Sequence, residues 1–454
     1  MLDASVRPRV RRLLRYLEQF KGCFSYRLQD VSLRRYLQGI LGDSPRKSMQ
    51  AMLTRVTDPG HYQAFQHFIT HATWDPQPVW RRLLELLPVR EGLFVIDDTS
   101  FPKQGKHSVG VTRQYCGALG KIANCQVATT ALLWAKGRAW MLGATLYLPK
   151  EWTRDQARCE RVHVPPTVRF QEKWRLALTL LRRARAAGLT CTGVLADAAY
   201  GDVTVFREAL HRLNLPYAVG ISSHLTVFRG TPRVVAPASA TRRGRPPTRF
   251  QVIDDVAPIA VSRLAAALPA HTWRPITWHN EHQATRWTAQ FAAMRVTPAH
   301  DWRRGRLLPE IWLLVQRPVG SKKIAKYFLV HLPASTALKQ LVWLAHQRWA
   351  IEQQYQQLKD ELGLDHFEGR SYPGWNRHVV LTAAAYTFLQ QERRHSRGRP
   401  LTFPVVRALV CEIFTALYFA AKYIAVKISQ TSARTTGNVR GRPRVCRRSC
   451  CRKV

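Results

Sequence analysis

Leu93-Phe94-Val95-Ile96-Asp97-Asp98-Thr99-Ser100 puts four apolar residues directly before two acids. A run this short and this apolar reads as a buried strand. A second junction of the same kind follows at Thr192-Gly193-Val194-Leu195-Ala196-Asp197. Burying a carboxylate is costly unless it is paired or binds a metal. In α/β sheets the carboxyl ends of strands are where ligands sit. Strand alternation sends Asp97 and Asp98 to opposite faces, so one is expected to enter a site and the other to cap a helix or hold an arginine. Taken singly, each strand-end aspartate also reads as a turn or N-cap residue.

Working outward, residues 126–133 and 139–148 read as two strands joined by a tight turn at Lys136-Gly137. Residues 170–187 read as a helix ending at Gly188. A helix over 205–213 and a strand over 217–221 complete an α/β pattern with a mixed sheet. Upstream, residues 1–88 are helical in pattern, with periodic stretches at 10–20, 46–55 and 61–73 broken at Asp58-Pro59-Gly60 and Asp75-Pro76. His67 and His71 lie one helical turn apart, but no third ligand is near, so they read as an ordinary helix face. Residues 223–320 are rich in Trp, Thr and Arg and read as a β-rich insertion with basic loops. Helical periodicity returns over 337–362, 378–393 and 405–428, and the last 25 residues read as a disordered basic tail without a single acid.

The third candidate acid is Glu352. Arg348, Glu352, Tyr355 and Lys359 share one face of a helix over 346–362, within about 60° of one another at 100° per residue. That stripe is either a solvated face or a carboxylate flanked by phosphate-holding cations. Three carboxylates from two strand ends and one helix make a natural site for two Mg²⁺ (or Mn²⁺) ions, which take oxygen ligands and clamp the attacking and leaving oxygens of a phosphoryl transfer.

The chain has 454 residues, of which 70 are Lys or Arg and 29 Asp or Glu, for a formal charge of +41. A hydrophobic fraction of 46% rules out general disorder, and the length suits two to four domains. A charge of that size repels itself unless an anion is bound, and nucleic acid is the obvious one. Arg outnumbers Lys by 54 to 16, which suits bidentate phosphate and base contacts. A GC-rich genome explains Arg over Lys but not the deficit of acids. The nine cysteines have no paired CxxC spacing, there is no signal-peptide core, and residues 408–421 are too short to span a bilayer. The expectation is a soluble, reduced, cytoplasmic bacterial protein, nucleoid-associated when on DNA.

These segments together resemble a known family. Residues 95–111, 113–126, 146–152, 195–202 and 348–359, with Pro45-Arg46-Lys47-Ser48-Met49-Gln50 upstream, look like a DDE transposase of the IS701 kind, in the IS4-like group. The resemblance spans roughly residues 40–390. It implies an RNase H-like mixed-sheet catalytic core with a β-rich insertion, a helical N-terminal domain before it and C-terminal helices after it. It implies catalytic and metal-binding roles for Asp97, Asp197 and Glu352, with Asp98 the rival for the first acid. Thr99, Tyr200 and Tyr355 are the supporting residues. The group's helix signature is Tyr, two residues, Arg, three, Glu, six, Lys; Arg348, Glu352 and Lys359 fit it, and Ala345 stands at the Tyr position. The 154 residues between Asp197 and Glu352 leave room for the insertion.

The implied activity is metal-dependent cleavage at insertion-sequence ends and transfer of the 3′ ends into target DNA. The implied partners are terminal inverted repeats and target duplex, with a homodimer on the DNA. The implied divisions are 1–88 (helical, DNA-binding), 89–222 (core), 223–325 (insertion), 326–395 (core with the Glu helix) and 396–454 (helix and tail). Lys103, Lys106, Lys121, Arg348 and Lys359 are expected to face DNA. So are Arg243 and Arg245, in one of three Arg-Gly-Arg-Pro copies that resemble the AT-hook core (243–246, 397–400, 440–443). Trp312 is a candidate for stacking on a displaced base, against the reading of a core Trp. The alternatives are a DNA-binding protein without catalysis, a metal-dependent nuclease without strand transfer, and a basic RNA-binding protein.

Overall fold

The computed structural model describes residues 6–56, 60–236, 249–254, 256–279, 286–395 and 401–415. The chain opens with five helices: α1 (Val6–Glu18), α2 (Arg27–Leu41), α3 (Met49–Leu53), α4 (Tyr62–Thr70) and α5 (Pro76–Glu85). Asp75 caps α5 by accepting from the Gln77 amide, with Pro76 at the first helical position. The central strand β1 (Glu91–Pro102) follows, then β2 (Thr112–Cys116), β3 (Lys121–Ala135) and β4 (Arg138–Leu146). Lys136 and Gly137 both have positive φ, as a two-residue hairpin turn between β3 and β4 requires.

Short helices α6 (Lys150–Arg154) and α7 (Gln156–Arg161) lead to α8 (Lys173–Ala186), β5 (Thr190–Ala196), α9 (Ala198–Gly201), α10 (Thr204–Arg212) and β6 (Tyr217–Ile221). β1 is antiparallel to β3 and parallel to β5, and β5 is parallel to β6. Three antiparallel strands (β4, β3, β1) followed by two parallel ones (β5, β6) give the mixed α/β core that the resemblance implies.

The next region holds β7 (Thr226–Arg229), β8 (Val234–Val235), β9 (Gln251–Val252), β10 (Ile259–Ala260), α11 (Val261–Ala266), β11 (Arg274–His279), β12 (Arg286–Pro298), β13 (Ile311–Arg317) and β14 (Lys326–His331). It is β-rich, as its composition predicts. Most of it does not form a separate sheet: β14 pairs antiparallel with β6, and β13, β12 and β7 follow in order, so one sheet of 12 strands runs through core and insertion. β8 and β9 pair apart from it.

Alternation along β1 sorts the two faces. Phe94 and Ile96 pack with Leu181, Phe206 and Leu210 of α8 and α10. Leu93 and Val95 pack with Leu341, Leu344 and Ile351 of α12 (Leu338–His346) and α13 (Trp349–Gln356). A π-helical turn (Gln357–Glu361) follows α13, and α14 (Tyr372–Glu392) closes the numbered elements. The helical run expected over 337–362 is therefore broken near Gln347 and Arg348 and ends in a π turn, a feature common at functional sites. α14 is buried nearly all round, against α2, α4, α5 and the helical segment 403–415, in a core holding Phe20, Leu37, Phe65, Trp80, Trp375 and Phe388. Among the described residues no helix is long and apolar enough to cross a membrane.

Candidate active site

The cleft forms where the sheet splits. β1 pairs with β5 only as far as Val95, opposite Leu195, but stays paired with β3 out to Pro102. Asp97 and Asp98 are therefore inside a strand, not at its end as the apolar run suggests. They lie just past the end of the parallel pairing, because β3 continues the ladder after β5 turns away. Asp197 leaves β5 as the N-cap of α9, its carboxylate accepting from the Ala199 amide at 3.0 Å. The N-cap reading and the site reading of Asp197 thus hold together. α9 is pressed onto β6 so closely that a Cβ on Gly201 would lie 1.8 Å from the Gly220 carbonyl oxygen. That contact explains the glycine in Asp197-Ala198-Ala199-Tyr200-Gly201. The buried Arg207 holds the same turn, donating to the Gly201 carbonyl and to Thr204 at 2.9 Å.

α13 lies across the mouth. Tyr355 and Thr130 share a hydrogen bond at 2.5 Å, and Thr130 is the cross-strand partner of Asp97. Arg348 donates to Asp97 Oδ2 at 2.6 Å and to Glu352 Oε1 at 2.9 Å, so one guanidinium joins acids from the strand and the helix. Lys359 donates to the Ser100 carbonyl at 3.1 Å. The cavity they enclose is about 720 Å³ and is lined by Asp97, Asp98, Asp197, Arg348, Glu352, Tyr355 and Lys359, with Thr99, Tyr147 and Lys173. Arg348, Tyr355 and Lys359 are part-buried against this cavity, while Glu352 lines its rim with a side chain 65% exposed, so the stripe borders both the cavity and solvent.

The neighbouring aspartates differ as alternation requires. Asp98 accepts from Tyr200 Oη at 2.6 Å and Thr129 Oγ1 at 3.1 Å on one oxygen, and pairs with Lys173 at 2.8 Å on the other. Donors from α8, α9 and β3 occupy three of its roughly four acceptor sites. Asp97 has its own strand amide at Asp98 and the Arg348 guanidinium. Burial raises the Asp97 carboxyl to about 7, against the pull of Arg348 and with the push of Asp197. Asp197 is raised too, by burial first, against Arg348, and with Asp98 adding to it. Carboxylates crowded this way are stabilised by a nearby cation.

The oxygen-only donor set of Asp97, Asp197 and Glu352 suits Mg²⁺ or Mn²⁺ by chemistry. The buried Thr99 hydroxyl in the same cavity has no hydrogen-bond partner, a further polar atom with capacity to spare. As the side chains stand, no three acids, histidines or cysteines among the described residues are grouped to hold a metal. Arg348 stands between Asp97 and Glu352 and donates to both.

Of the other expected residues, Lys103 turns away from the cleft and donates to the Phe367 carbonyl at 2.6 Å. Lys106 and Lys121 are exposed and do not line it. Arg243, Arg245, all three Arg-Gly-Arg-Pro copies and the tail lie outside the described residues. Trp312 is half-buried in the insertion, away from the cavity, donating to the Pro333 carbonyl at 3.1 Å with Arg295 at 5.2 Å from its ring. His67 and His71 have ring centroids 6.1 Å apart. Lys173 also lines the cavity. Its partner Asp98 lies 75 positions upstream, and no local pattern marks the pair.

Residues 19–285 match the family model described as a DDE superfamily endonuclease, and the chain belongs to that family. The match contains Asp97, Asp98 and Asp197 and ends before Glu352. The chain is 30% identical over 223 residues to a probable transposase for insertion sequence element IS701 from Microchaete diplosiphon. That alignment covers 48% of this chain and 55% of the other, so the chain spans about half the length of the curated relative it matches. A piggyBac transposase in a synaptic complex with hairpin DNA aligns with a TM-score of 0.47 at 10% identity, covering 88% of this chain and 72% of that one.

Proposed function

We propose that the chain is a transposase that cuts DNA at the ends of its own insertion sequence and joins the freed 3′ ends to target DNA. Asp97, Asp197 and Glu352 are the catalytic carboxylates and hold Mg²⁺ or Mn²⁺. The observation that carries the reading is the meeting of these three acids, from β1, the end of β5 and α13, in one cavity of a DDE-family chain. Two bound ions would supply an activated water or 3′-hydroxyl and charge neutralisation at the leaving oxygen.

The chain's own groups do the rest. Asp97 and Asp197 approach from neighbouring strands and Glu352 from the helix above. Arg348 neutralises Asp97 and Glu352 until DNA is present and then contacts phosphate. Tyr200, Thr129 and Lys173 lock Asp98 and through it the strand that bears Asp97. Lys359 and Tyr355 fix α13 over the site. The partners are the terminal inverted repeats and target duplex, with two copies of the chain acting together on paired ends. The chain works in the bacterial cytoplasm, on the nucleoid when bound. The five sequence divisions, from the N-terminal DNA-binding helices to the basic tail, remain part of this reading.

The test is cleavage of duplex carrying the element's ends, with Mg²⁺ or Mn²⁺, by the wild type and by Asp97→Asn, Asp98→Asn, Asp197→Asn and Glu352→Gln. The reading expects Asp97→Asn, Asp197→Asn and Glu352→Gln to bind DNA without cutting. Chelation of the metal should stop cutting and spare binding. Cutting by Asp197→Asn and Glu352→Gln at wild-type rates would remove the assignment. Binding with no cutting by the wild type would leave a DNA-binding protein, and cutting without joining a nuclease.

A further inference from the structure

We infer that the groove between α8 and α10 is a track for the phosphate backbone of duplex DNA, leading away from the Asp98 side of the cleft. The inference rests on the transposase reading and adds a second DNA contact surface to it. The groove has a volume of about 890 Å³, and its walls carry Lys150, Phe170, Trp174, Arg175, Arg182 and Arg212. All four cations are exposed. Arg175 shares its charge with Glu172 at 3.8 Å, and both are more than half exposed, which makes the pair weak. Among the described residues, Lys150, Arg182 and Arg212 have no carboxylate within ion-pair distance. Arg175 and Arg182 are seven residues apart on α8, so they stand on one stripe, two turns apart. Like charges held in a row repel one another unless a polyanion lies along them.

The aromatic residues connect this row to the cleft. Lys150 sits over the Phe170 ring at 5.0 Å, and Arg175 over the Trp174 ring at 4.6 Å. Phe170 meets Tyr147 edge-on at 6.2 Å, and Lys173 lies over Tyr147 at 5.2 Å while pairing with Asp98. A continuous strip of bases and rings thus runs from the wall of the catalytic cavity to the outside of α8. A small phosphate ligand would need donors converging on one point. Cations spread over α6, α8 and α10 match an extended backbone instead.

The test is the salt dependence of affinity for a short duplex of random sequence, read by fluorescence anisotropy on the full chain. Arg175→Gln/Arg182→Gln/Arg212→Gln is compared with the wild type and with Lys322→Gln/Lys323→Gln/Lys339→Gln, three exposed lysines elsewhere that remove the same charge. Each lost phosphate contact lowers the slope of log K against log salt by about 0.9, so the groove variant should lose about 2 to 3 from its slope and the control less than 1. Arg182→Gln alone, an exposed change that leaves the fold untouched, should lose about 0.9. Equal slopes for the groove and control variants overturn the inference while leaving the transposase reading in place, provided the wild type still cuts. A wild type that neither binds nor cuts DNA overturns both.

Discussion

At the scale of single residues, the site is held by charges that compete for one another. Arg348 bridges Asp97 and Glu352 at hydrogen-bond distance, so on the proposed assignment a divalent ion would compete with this guanidinium for the same two carboxylates. Arg348→Gln should therefore bind Mn²⁺ more tightly than the wild type when no DNA is present, by roughly tenfold, the effect of about 1.4 kcal/mol. The same variant should cut DNA poorly, because it lacks the cation for phosphate. Titration of Mn²⁺ followed by electron paramagnetic resonance reads the first effect without any turnover, and unchanged affinity would show that Arg348 does not guard the acids. The adjacent aspartates should part company in the same way. Asp97 is a buried carboxylate, so Asp97→Asn relieves a desolvation cost and should keep or raise the melting temperature while abolishing cutting. Asp98→Asn keeps an oxygen for Tyr200 and Thr129 but removes the carboxylate charge and sets an NH2 group against the Lys173 ammonium, and should lower the melting temperature by several degrees. Thermal melts of the two variants side by side decide it.

At the scale of elements, what the sequence made legible were the junctions of apolar runs with acids, and the hairpin at Lys136-Gly137. These depend on local pattern and turn chemistry. The extension of β1 through Asp97 and Asp98 was not legible, because it is β3, some thirty residues on, that keeps the strand paired. Nor was the break near Arg348, since the helical periodicity runs straight through it. The stripe of Arg348, Glu352, Tyr355 and Lys359 still borders the cavity. The continuity of the insertion with the core sheet also escaped, because the pairing of β14 with β6 joins segments more than a hundred residues apart. The turn after Asp197 carries its own prediction. A methyl at Gly201 meets the Gly220 carbonyl, so Gly201→Ala must push α9 off β6 and take the Asp197 cap with it. Overpacking of this sort costs about 1–3 kcal/mol, and cutting should fall even though every acid is present. Gly105→Ala, where a Cβ meets nothing within 4 Å, is the matched control and should behave as wild type.

At the scale of the whole molecule, the helices at the two ends of the chain share one core. Arg377 of α14 donates to the backbone carbonyls of Ile69 and Trp74, closing the end of α4. Arg12 and Glu392 pair at 2.6 Å, and Tyr36 of α2 meets His378 Nδ1 at 2.8 Å. The other nitrogen of His378 faces the Gly363 and Leu364 carbonyls at 3.2 and 3.3 Å. Burial pushes His378 down to about 4, and it does the same to His346, the last residue of α12, and to His211, beside His331 and Tyr217. An unfolded histidine titrates near 6.5, so between about pH 6.5 and 4 the unfolded chain binds more protons than the folded one. The stability these neutral rings contribute is complete above about pH 6.5 and is lost as the pH falls toward 4. Asp97 and Asp197, whose raised carboxyls take up protons on folding, act in the opposite sense, and with three histidines against them the melting temperature should still drop as the pH falls toward 4. His378→Gln, which keeps polar contacts but cannot charge, should lower stability at pH 8 and flatten the acid dependence by one proton. A profile as steep as the wild type's would show that His378 is not among the groups that couple the two ends of the chain to pH.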